Sequence, residues 1–364
     1  MTFWPRARIR LDALQHNHQH LRQTAGGARL MAVIKANAYG HGLLTVAKNL
    51  PDADAFAVAR LPDALRLADA GIRQPIVLFG GVYTAAELES ALQHRLELGV
   101  HSERQVALLE AAGKGNAIVW LKLDTGMHRL GFEPAEATAL IARLRHCRAV
   151  GEVRLMTHLA NADDRGDDRT VRQVDRFRAV LETFDGQFSI ANSAGLLGWP
   201  DSIDAGQARA RSWVRCGIAL YGISPFPGTC GADVGLQPVM EYESRLIGIK
   251  AIRAGDRVGY GGTWEAGDDT VIGIVAAGYG DGYPRFLPSG TPVSINGRRA
   301  ALAGLVSMDL AAVDLGPGAN DKMGDRVTLW GEDLPVETVA AHAGTIPYQL
   351  VCGVTQRDAG GVGD

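Results

Sequence analysis

Short apolar runs alternate with helical patterns through the first two thirds of this 364-residue chain. This alternation limits the fold more than any other feature, because strands that are apolar on both faces must be covered on both sides. Eight runs have this character: Leu30–Lys35, Ala55–Ala59, Ile76–Phe79, Glu97–Val100, Ile118–Leu123, Leu155–His158, Phe188–Asn192 and Val214–Tyr221. Right-handed crossovers between eight such strands predict an α/β fold with a closed, TIM-like (β/α)8 barrel. An open doubly wound sheet is the competing fold, but no G-x-G-x-x-G motif follows an early strand.

Helices are expected between these strands. Thr84 is placed to cap a helix over Ala85–Arg95, and Glu87 completes a capping box. Further helices are predicted over Pro134–His146, where the proline opens the first turn, and over Asp168–Phe184.

The pattern changes after about residue 230, where Gly and Pro become dense and helical periodicity fades. Short β-type runs follow, and Asn296-Gly297 is typical of a hairpin turn. The runs are Arg245–Ile252, Arg257–Tyr260, Thr270–Ala276, Pro292–Ile295, Met308–Leu315 and Arg326–Trp330. The sequence therefore predicts two domains, a barrel over residues 1–231 and a mainly β domain over residues 232–364.

Composition excludes several classes of function. A net charge of −3 gives no general attraction to nucleic acid or to anionic membranes. Neither a membrane-spanning run nor a secretory signal is present, which predicts a cytoplasmic location. The four cysteines are scattered, and His16, His18 and His20 are expected on different faces of a helix. No metal site is therefore predicted.

Lys35 is the first candidate for chemistry, because it closes the first predicted strand. Active sites of barrels lie at the C-terminal ends of the strands, at the mouth of an apolar core. Desolvation there lowers the pKa of an amine and makes it available as a nucleophile, which suits a Schiff base with an aldehyde cofactor. A lysine whose charged tip simply reaches water is the alternative.

Other polar residues follow the later strands. The fifth run leads into LKLDTGMHR, with Lys122 and Arg129, and the sixth ends at His158. Asn192 and Ser193 follow the seventh, and Arg215 lies in the eighth, just before Gly217 and Ile218. Barrels often bind phosphate after strands seven and eight, and Gly217 has no side chain to block its approach.

Two motifs give the chain a specific resemblance. The segment KANAYGHG spans residues 35–42, and VGYGGTW spans residues 258–264. Together and in this order, they resemble the alanine racemases, which are fold-type III pyridoxal-phosphate enzymes. The similarity extends over nearly the whole chain, to Pro347-Tyr348-Gln349.

The resemblance implies a dimeric racemase that uses pyridoxal phosphate to interconvert L- and D-alanine, for peptidoglycan or for catabolism. Lys35 resembles the Schiff-base lysine and the base on the D face, and Tyr260 resembles the base on the L face, which comes from the partner subunit. Arg129 and the backbone of Met308 correspond to contacts with the substrate carboxylate. The implied cofactor contacts are Tyr39, His158, Asn192, Ser193, Arg215, Gly217, Ile218 and Tyr348. Lys122 corresponds to a lysine often found carbamylated, and Tyr279 and Arg285 to residues of the entrance.

These residue types suit racemisation, which needs a base on each face of a planar intermediate. Lysine and tyrosine titrate near 10, so each pKa must shift toward the working pH. An arginine gives up no proton, so Arg215 at the pyridine nitrogen is expected to leave that nitrogen unprotonated. A carbamate on Lys122 would turn a cation beside Arg129 into an anion that orients the guanidinium.

Some positions depart from the family pattern, and some alternatives stay open. Leu305 stands where the family often has an arginine, which bears on the entrance, and Ser189 where some relatives have a histidine, which bears on the partner of Arg215. Tyr260 alone is also compatible with a packed strand aromatic, and Tyr279 with turn scaffolding. A racemase of broader specificity, a non-catalytic pyridoxal-phosphate-binding barrel and a related barrel decarboxylase are the alternative functions. The β domain with Tyr260 and Met308 argues against the binding barrel. The decarboxylases have a cysteine-centred motif in their second domain, where this chain has Tyr260.

Overall fold

Eight parallel strands close into a barrel in the computed structural model, which describes residues 3–355. Most of the strand residues are buried, as in Ala55–Val58, where all four are. The barrel strands are β2 (Arg29–Val33), β3 (Ala55–Val58), β4 (Ile76–Leu78), β5 (Glu97–Val100), β6 (Ala117–Lys122), β7 (Val150–Met156), β8 (Phe188–Asn192) and β9 (Ser212–Cys216). The closed α/β barrel predicted from the alternating runs is thus confirmed, and the doubly wound sheet is wrong.

Helices connect the strands and cover the outside of the barrel. Glu87 N–H donates to Thr84 Oγ1 over 3.2 Å, and the Glu87 carboxylate accepts from the Thr84 N–H, so the predicted capping box is confirmed. The helix predicted over Asp168–Phe184 is shorter at both ends. The helices are α1 (Leu11–Ala25), α2 (Lys35–Tyr39), α3 (Leu43–Lys48), α4 (Leu61–Asp69), α5 (Ala85–Gln93), α6 (Glu103–Ala111), α7 (Ala137–His146), α8 (Arg169–Leu181), α9 (Ser193–Gly198), α10 (Asp201–Asp204), α11 (Val336–His342) and α12 (Pro347–Gly353).

Several predicted strand ends are wrong near the site. The eighth strand stops at Cys216, and Ile218–Tyr221 forms a 3-10 turn instead of continuing the strand. Lys35 lies two residues beyond the end of β2 and begins α2. His158, predicted in the sixth strand, lies two residues beyond the end of β7. These differences place the functional residues on turns above the barrel rather than in its wall.

The strands outside the barrel form antiparallel pairs. They are β1 (Arg6–Ile9), β10 (Met240–Ile252), β11 (Arg257–Val258), β12 (Trp264–Glu265), β13 (Thr270–Val275), β14 (Pro292–Ile295), β15 (Arg298–Leu302), β16 (Ala311–Asp314) and β17 (Arg326–Trp330). The second sheet has the strand order β1, β10, β13, β16, β15, β14 and β17, and an additional pairing of β17 with β10 closes the sheet on itself. Asn296 and Gly297 have φ values of 47° and 84° and join β14 to β15, so the predicted hairpin turn is confirmed.

The first strand crosses the predicted domain boundary. It belongs to residues 1–231, but it pairs with β10 of the second sheet, with Arg6 opposite Glu243 and Arg8 opposite Glu241. Both arginines form ion pairs with those buried glutamates. Four residues are too few to show strand periodicity, and their partner lies more than 230 positions away. The division at residue 231 itself stays a prediction.

Other sequence expectations concern α1 and the membrane. His16 and His20 share one face of α1 with parallel rings 6.4 Å apart, whereas His18 is buried on another. The expectation of different faces was therefore right for His18 and wrong for His16 and His20, because residues four apart lie on the same side of a helix. Within residues 3–355, no three His, Cys, Asp or Glu side chains are grouped to hold a metal ion. The same part of the chain has no helix of the length and apolarity that crossing a bilayer requires.

A buried ion pair joins Glu97, at the start of β5, to Arg154 of β7, away from the strand ends that carry the candidate site. Arg154 Nη1 lies 3.2 Å from both carboxylate oxygens of Glu97, and the two side chains are 8% and 5% exposed. Trp120 Nε1 also donates to Glu97 over 2.6 Å. Burial raises the pKa of Glu97, and Arg154 acts in the opposite direction.

Replacing Arg154 with leucine is expected to lower the free energy of unfolding by about 3–5 kcal/mol, because Glu97 is left buried without its cation. Arg143→Ala is the matched control. Arg154 contacts two glutamates, Glu97 and Glu152. Arg143 likewise contacts two, Glu103 and Glu110, but on the surface, where the expected loss of unfolding free energy is below about 1 kcal/mol. Urea unfolding of both variants measures the difference. Equal losses would contradict the stabilising role given to the buried pair.

Candidate active site

A cavity of about 1010 Å³ opens at the C-terminal ends of the barrel strands. Turns that follow the strands supply most of its wall, and α12 closes one side. The cavity brings together eleven of the residues predicted from the sequence: Lys35, Tyr39, Lys122, Arg129, His158, Asn192, Ser193, Arg215, Gly217, Ile218 and Tyr348.

The turn that carries Lys35 has an unusual backbone. Ala36, Asn37, Ala38 and Tyr39 all have φ of 53–54°, so α2 contains a left-handed turn built without glycine. This conformation costs roughly 1–2 kcal/mol per residue for L-amino acids. Strained backbone of this kind persists where the surrounding structure holds it, often at ligand sites. Here it turns Lys35 and Tyr39 into the same cavity.

Two lysines, Lys35 and Lys122, face the cavity, and the pKa of each is lowered. Burial lowers the pKa of Lys35, and the Arg129 and Arg215 guanidiniums lower it further. Burial likewise lowers the pKa of Lys122 to about 8, with Arg129 again the next cause. A larger fraction of each amine is therefore neutral near pH 7 than in an exposed lysine.

Tyr39, Ser193 and Gly217 meet on the other side of the cavity. A Cβ on Gly217 would lie 2.5 Å from the Tyr39 hydroxyl, so any other residue there would have to displace that hydroxyl. The Gly217 N–H donates to Ser193 Oγ over 3.0 Å. Asn192 Oδ1 accepts the Gly195 N–H over 2.8 Å, and so caps the helix that begins at Ser193. The group combines hydroxyls and backbone N–H in the way that anion sites do.

Arg215 is a buried cation whose hydrogen-bond partners are all neutral. Nη2 donates to the carbonyls of Thr157 (2.6 Å) and Ile190 (3.0 Å), and Nη1 donates to Ser189 Oγ over 2.5 Å. Nη2 also lies 3.3 Å from His158 Nδ1. Burial lowers the pKa of Arg215 to about 10, and burial together with Arg215 holds the pKa of His158 well below its usual range. Arg215 stays charged near pH 7, and His158 stays neutral.

The loop after β6 carries Arg129 to the cavity edge. Asp124 Oδ1 accepts the N–H groups of Gly126, Met127 and His128 over 2.9–3.0 Å, which fixes the turn. Arg129 is exposed and shares the cavity wall with Lys122. The sequence correctly grouped these two residues.

Four predicted residues lie outside the cavity of their own chain: Tyr260, Tyr279, Arg285 and Met308. The Arg285 guanidinium carbon lies 5.9 Å from the ring centres of both tyrosines, and Arg285 Nη1 donates to the Val306 carbonyl. Tyr260 is 67% exposed in the 3-10 turn Tyr260–Gly262, so it is not a packed strand aromatic. We call these four residues the tyrosine surface.

Sequence reasoning noted Ser189 as a departure that bears on the partner of Arg215, and the structure shows that contact: the Ser189 hydroxyl donates to the Trp213 carbonyl over 2.7 Å and accepts from Arg215. It missed one residue of the cavity, Cys352. Cys352 lies in the cavity wall, and Lys35 and Cys352 influence each other's pKa. One signal was available for Cys352, because it follows Tyr348 by four residues and so shares its helix face.

Comparisons with known proteins agree with this geometry. Residues 9–225 match the alanine racemase N-terminal domain, and residues 239–359 match the alanine racemase C-terminal domain. The chain is 47% identical to an alanine racemase of Vibrio cholerae over 96% of each chain. It is 50% identical to a biosynthetic alanine racemase of Salmonella typhimurium, over 96% of this chain and 97% of the relative.

Solved structures give the same result. The biosynthetic alanine racemase of Pseudomonas aeruginosa superposes with a TM-score of 0.93 and is 42% identical, with 98% of each chain covered. The alanine racemase of Acinetobacter baumannii has a TM-score of 0.90 at 36% identity. On these matches, which span both domains and the whole cavity, the chain belongs to the alanine racemase family.

Proposed function

We propose that this protein interconverts L- and D-alanine with pyridoxal phosphate held in the barrel cavity. One observation carries the proposal: a partly desolvated lysine, an anion cradle and a buried arginine line the same cavity. An aldehyde, a phosphate and a ring nitrogen are the groups that these three features would bind.

The residues present fit the cofactor. Its phosphate would lie at Tyr39, Ser193, Gly217 and Ile218, where the missing Cβ of Gly217 leaves the approach open. Arg215 would face the pyridine nitrogen as a donor that keeps its own proton. The bound cofactor supplies electron withdrawal that weakens the bond between Cα of the amino acid and its proton.

Two residues of the chain would move that proton. Lys35 Nζ, with its lowered pKa, serves as the base on the D face. The Tyr260 hydroxyl serves on the L face. Arg129 and the backbone of Met308 would orient the substrate carboxylate, and Tyr279 and Arg285 would line the entrance.

The position of the tyrosine surface supports a homodimer. Tyr260 is exposed and absent from the cavity wall of its own chain, so one subunit alone has only one of the two bases. A two-fold axis that brings each tyrosine surface to the cavity of the other subunit completes both sites. The dimer is thus a requirement of the proposed chemistry.

Lys122 is the proposed site of carbamylation. Its neutral amine, favoured by a pKa of about 8, adds carbon dioxide to form an N–C bond and releases one proton. The resulting anion would orient Arg129 by a charge-assisted hydrogen bond. Intact-protein mass under mild conditions, with and without bicarbonate, tests this step.

The names of the relatives bear on the physiological role. The proteins of Salmonella typhimurium and Pseudomonas aeruginosa are named biosynthetic alanine racemases, which favours supply of D-alanine for peptidoglycan over catabolism. We propose that the protein is cytoplasmic. Free cysteines at 147, 216, 230 and 352 agree with a reducing compartment.

The direct test incubates the purified protein and pyridoxal phosphate with L-alanine and separates the enantiomers by chiral chromatography. We expect a racemic mixture at equilibrium. A protein that binds the cofactor but yields no D-alanine would overturn the proposal. L-Serine in a parallel incubation measures the breadth of specificity.

Replacing Gly217 with alanine is expected to weaken cofactor binding by about ten- to a hundred-fold, the equivalent of one hydrogen bond to a charged group. The new methyl group displaces the Tyr39 hydroxyl, and the ring has little room because it packs between Tyr221 and Tyr348. Titration of the apoprotein with pyridoxal phosphate measures the change. Gly113→Ala, which meets open space, is the control and should bind as the wild type does.

A further inference from the structure

We propose that His41 is a positioning residue for the left-handed turn Lys35–Tyr39, through a hydrogen bond donated by its Nδ1–H to the backbone of that turn. The inference rests on the proposed function, since its consequence is expressed as binding of pyridoxal phosphate. His41 lies outside the cavity wall.

The geometry fixes which ring nitrogen of His41 carries the proton. Nδ1 lies 2.9 Å from the Tyr39 carbonyl oxygen and 3.1 Å from the Ala38 carbonyl oxygen. Both partners only accept hydrogen bonds, so Nδ1 must be the donor. Burial also lowers the pKa of His41 to about 4, so the ring is neutral and Nε2 carries no proton.

The other ring nitrogen of His41, Nε2, destabilises the folded state. Nε2 is buried and has no hydrogen-bond partner among residues 3–355. An unpaired buried acceptor destabilises the folded state, and a phenylalanine in this place would avoid that loss. What a histidine offers over an apolar ring is therefore the Nδ1–H on the turn.

The His41 ring also links the two ends of the segment that holds Lys35. It stacks on Tyr221 with ring centres 4.4 Å apart. The Tyr221 hydroxyl donates to the Val33 carbonyl over 3.1 Å, and its ring packs 4.9 Å from that of Tyr39. The backbone is thus held before Lys35 at Val33 and after it at Ala38 and Tyr39.

The consequence for the site follows from the strain in the turn. Ala36 to Tyr39 all occupy a backbone region that L-residues disfavour, so the turn needs contacts that the relaxed conformation would lack. Loss of the Nδ1–H contact lets the turn relax. The Lys35 amine and the Tyr39 hydroxyl would then move relative to Gly217.

Two variants separate the donor from the ring. His41→Phe keeps a ring against Tyr221 but removes the donor, whereas His41→Asn keeps a donor near the Nδ1 position but removes the ring. The measurements on each full-length variant are the dissociation constant for pyridoxal phosphate and the thermal midpoint of the apoprotein. We expect His41→Phe to raise the dissociation constant about ten-fold while its midpoint shifts by less than about 4 °C. His41→Asn should lower the midpoint further and yet bind within about three-fold of the wild type.

The outcomes distinguish this inference from the proposed function. Wild-type binding by His41→Phe would overturn the positioning role, and so would a loss of binding that parallels the midpoint in both variants. A wild-type protein that fails to bind pyridoxal phosphate would instead overturn the proposed function, and the inference with it.

Discussion

Replacing Tyr260 with phenylalanine is expected to lower racemisation by about 10²–10⁴-fold, the range typical for loss of a general base. The change removes one hydroxyl from an exposed ring, so folding should be unaffected. Because racemisation needs a base on each face, loss of either base stops net interconversion. The stability of the protein and its affinity for pyridoxal phosphate should stay at wild-type values.

Isotope exchange shows which face is lost. In deuterated water, the variant is expected to lose exchange of the α-proton of L-alanine while it retains exchange from D-alanine, for which Lys35 is the proposed base. Tyr279→Phe is the matched control, since Tyr279 lies at the same 5.9 Å from Arg285 and is also exposed. Equal loss of exchange from both enantiomers in Tyr260→Phe would contradict the assignment to a single face.

Mixed dimers test the shared site. Lys35→Ala and Tyr260→Phe subunits are each expected to be inactive alone. Random mixing of the two should restore about a quarter of wild-type activity, because half of the dimers pair unlike chains and each of these has one complete site. Mixed dimers that form without any recovery would show that Tyr260 acts in its own chain or not at all.

The barrel was predictable because burial on both faces of short strands leaves a clear apolar signal, as in Ala55–Val58. The rim residues followed, since parallel strands all end on one side of a barrel. Strand β1 was not predictable, because its four residues gain their structure from a distant partner. Local preference was overridden there by tertiary pairing.

Sequence patterns did not predict two features of the site, the left-handed turn after Lys35 and the distance of Tyr260 from the cavity. The left-handed turn at 36–39 contradicts the intrinsic preference of Ala and Tyr, so it depends on tertiary contacts such as those of His41 and Tyr221. The separation of Tyr260 from the cavity is a property of three-dimensional placement. Its assignment to a partner subunit came from family resemblance, not from any pattern in the residues.

Replacing Lys35 with alanine is expected to abolish covalent attachment of pyridoxal phosphate and to lower exchange from both enantiomers by at least about 10³-fold. The cavity holds two lysines with lowered pKa values, Lys35 and Lys122, so the variant decides which of them carries the cofactor. Lys35 is favoured since it begins the turn that also presents Tyr39 to the proposed phosphate site. Lys122 instead lies beside Asp124 and Arg129, on the side assigned to the substrate carboxylate.

Borohydride reduction of the loaded protein, followed by peptide mass mapping, identifies the lysine directly. We expect the cofactor on the peptide that contains Lys35, and none on the peptide that contains Lys122.

Lys35→Arg keeps the positive charge without a nucleophilic amine and should be as inactive as Lys35→Ala, whereas Lys122→Ala should retain attachment. Added methylamine should restore part of the activity of Lys35→Ala, because the deleted side chain leaves room for a small amine in the cavity. Cofactor recovered on Lys122, or a Lys35→Ala protein that still exchanges both enantiomers, would reverse the roles of the two lysines.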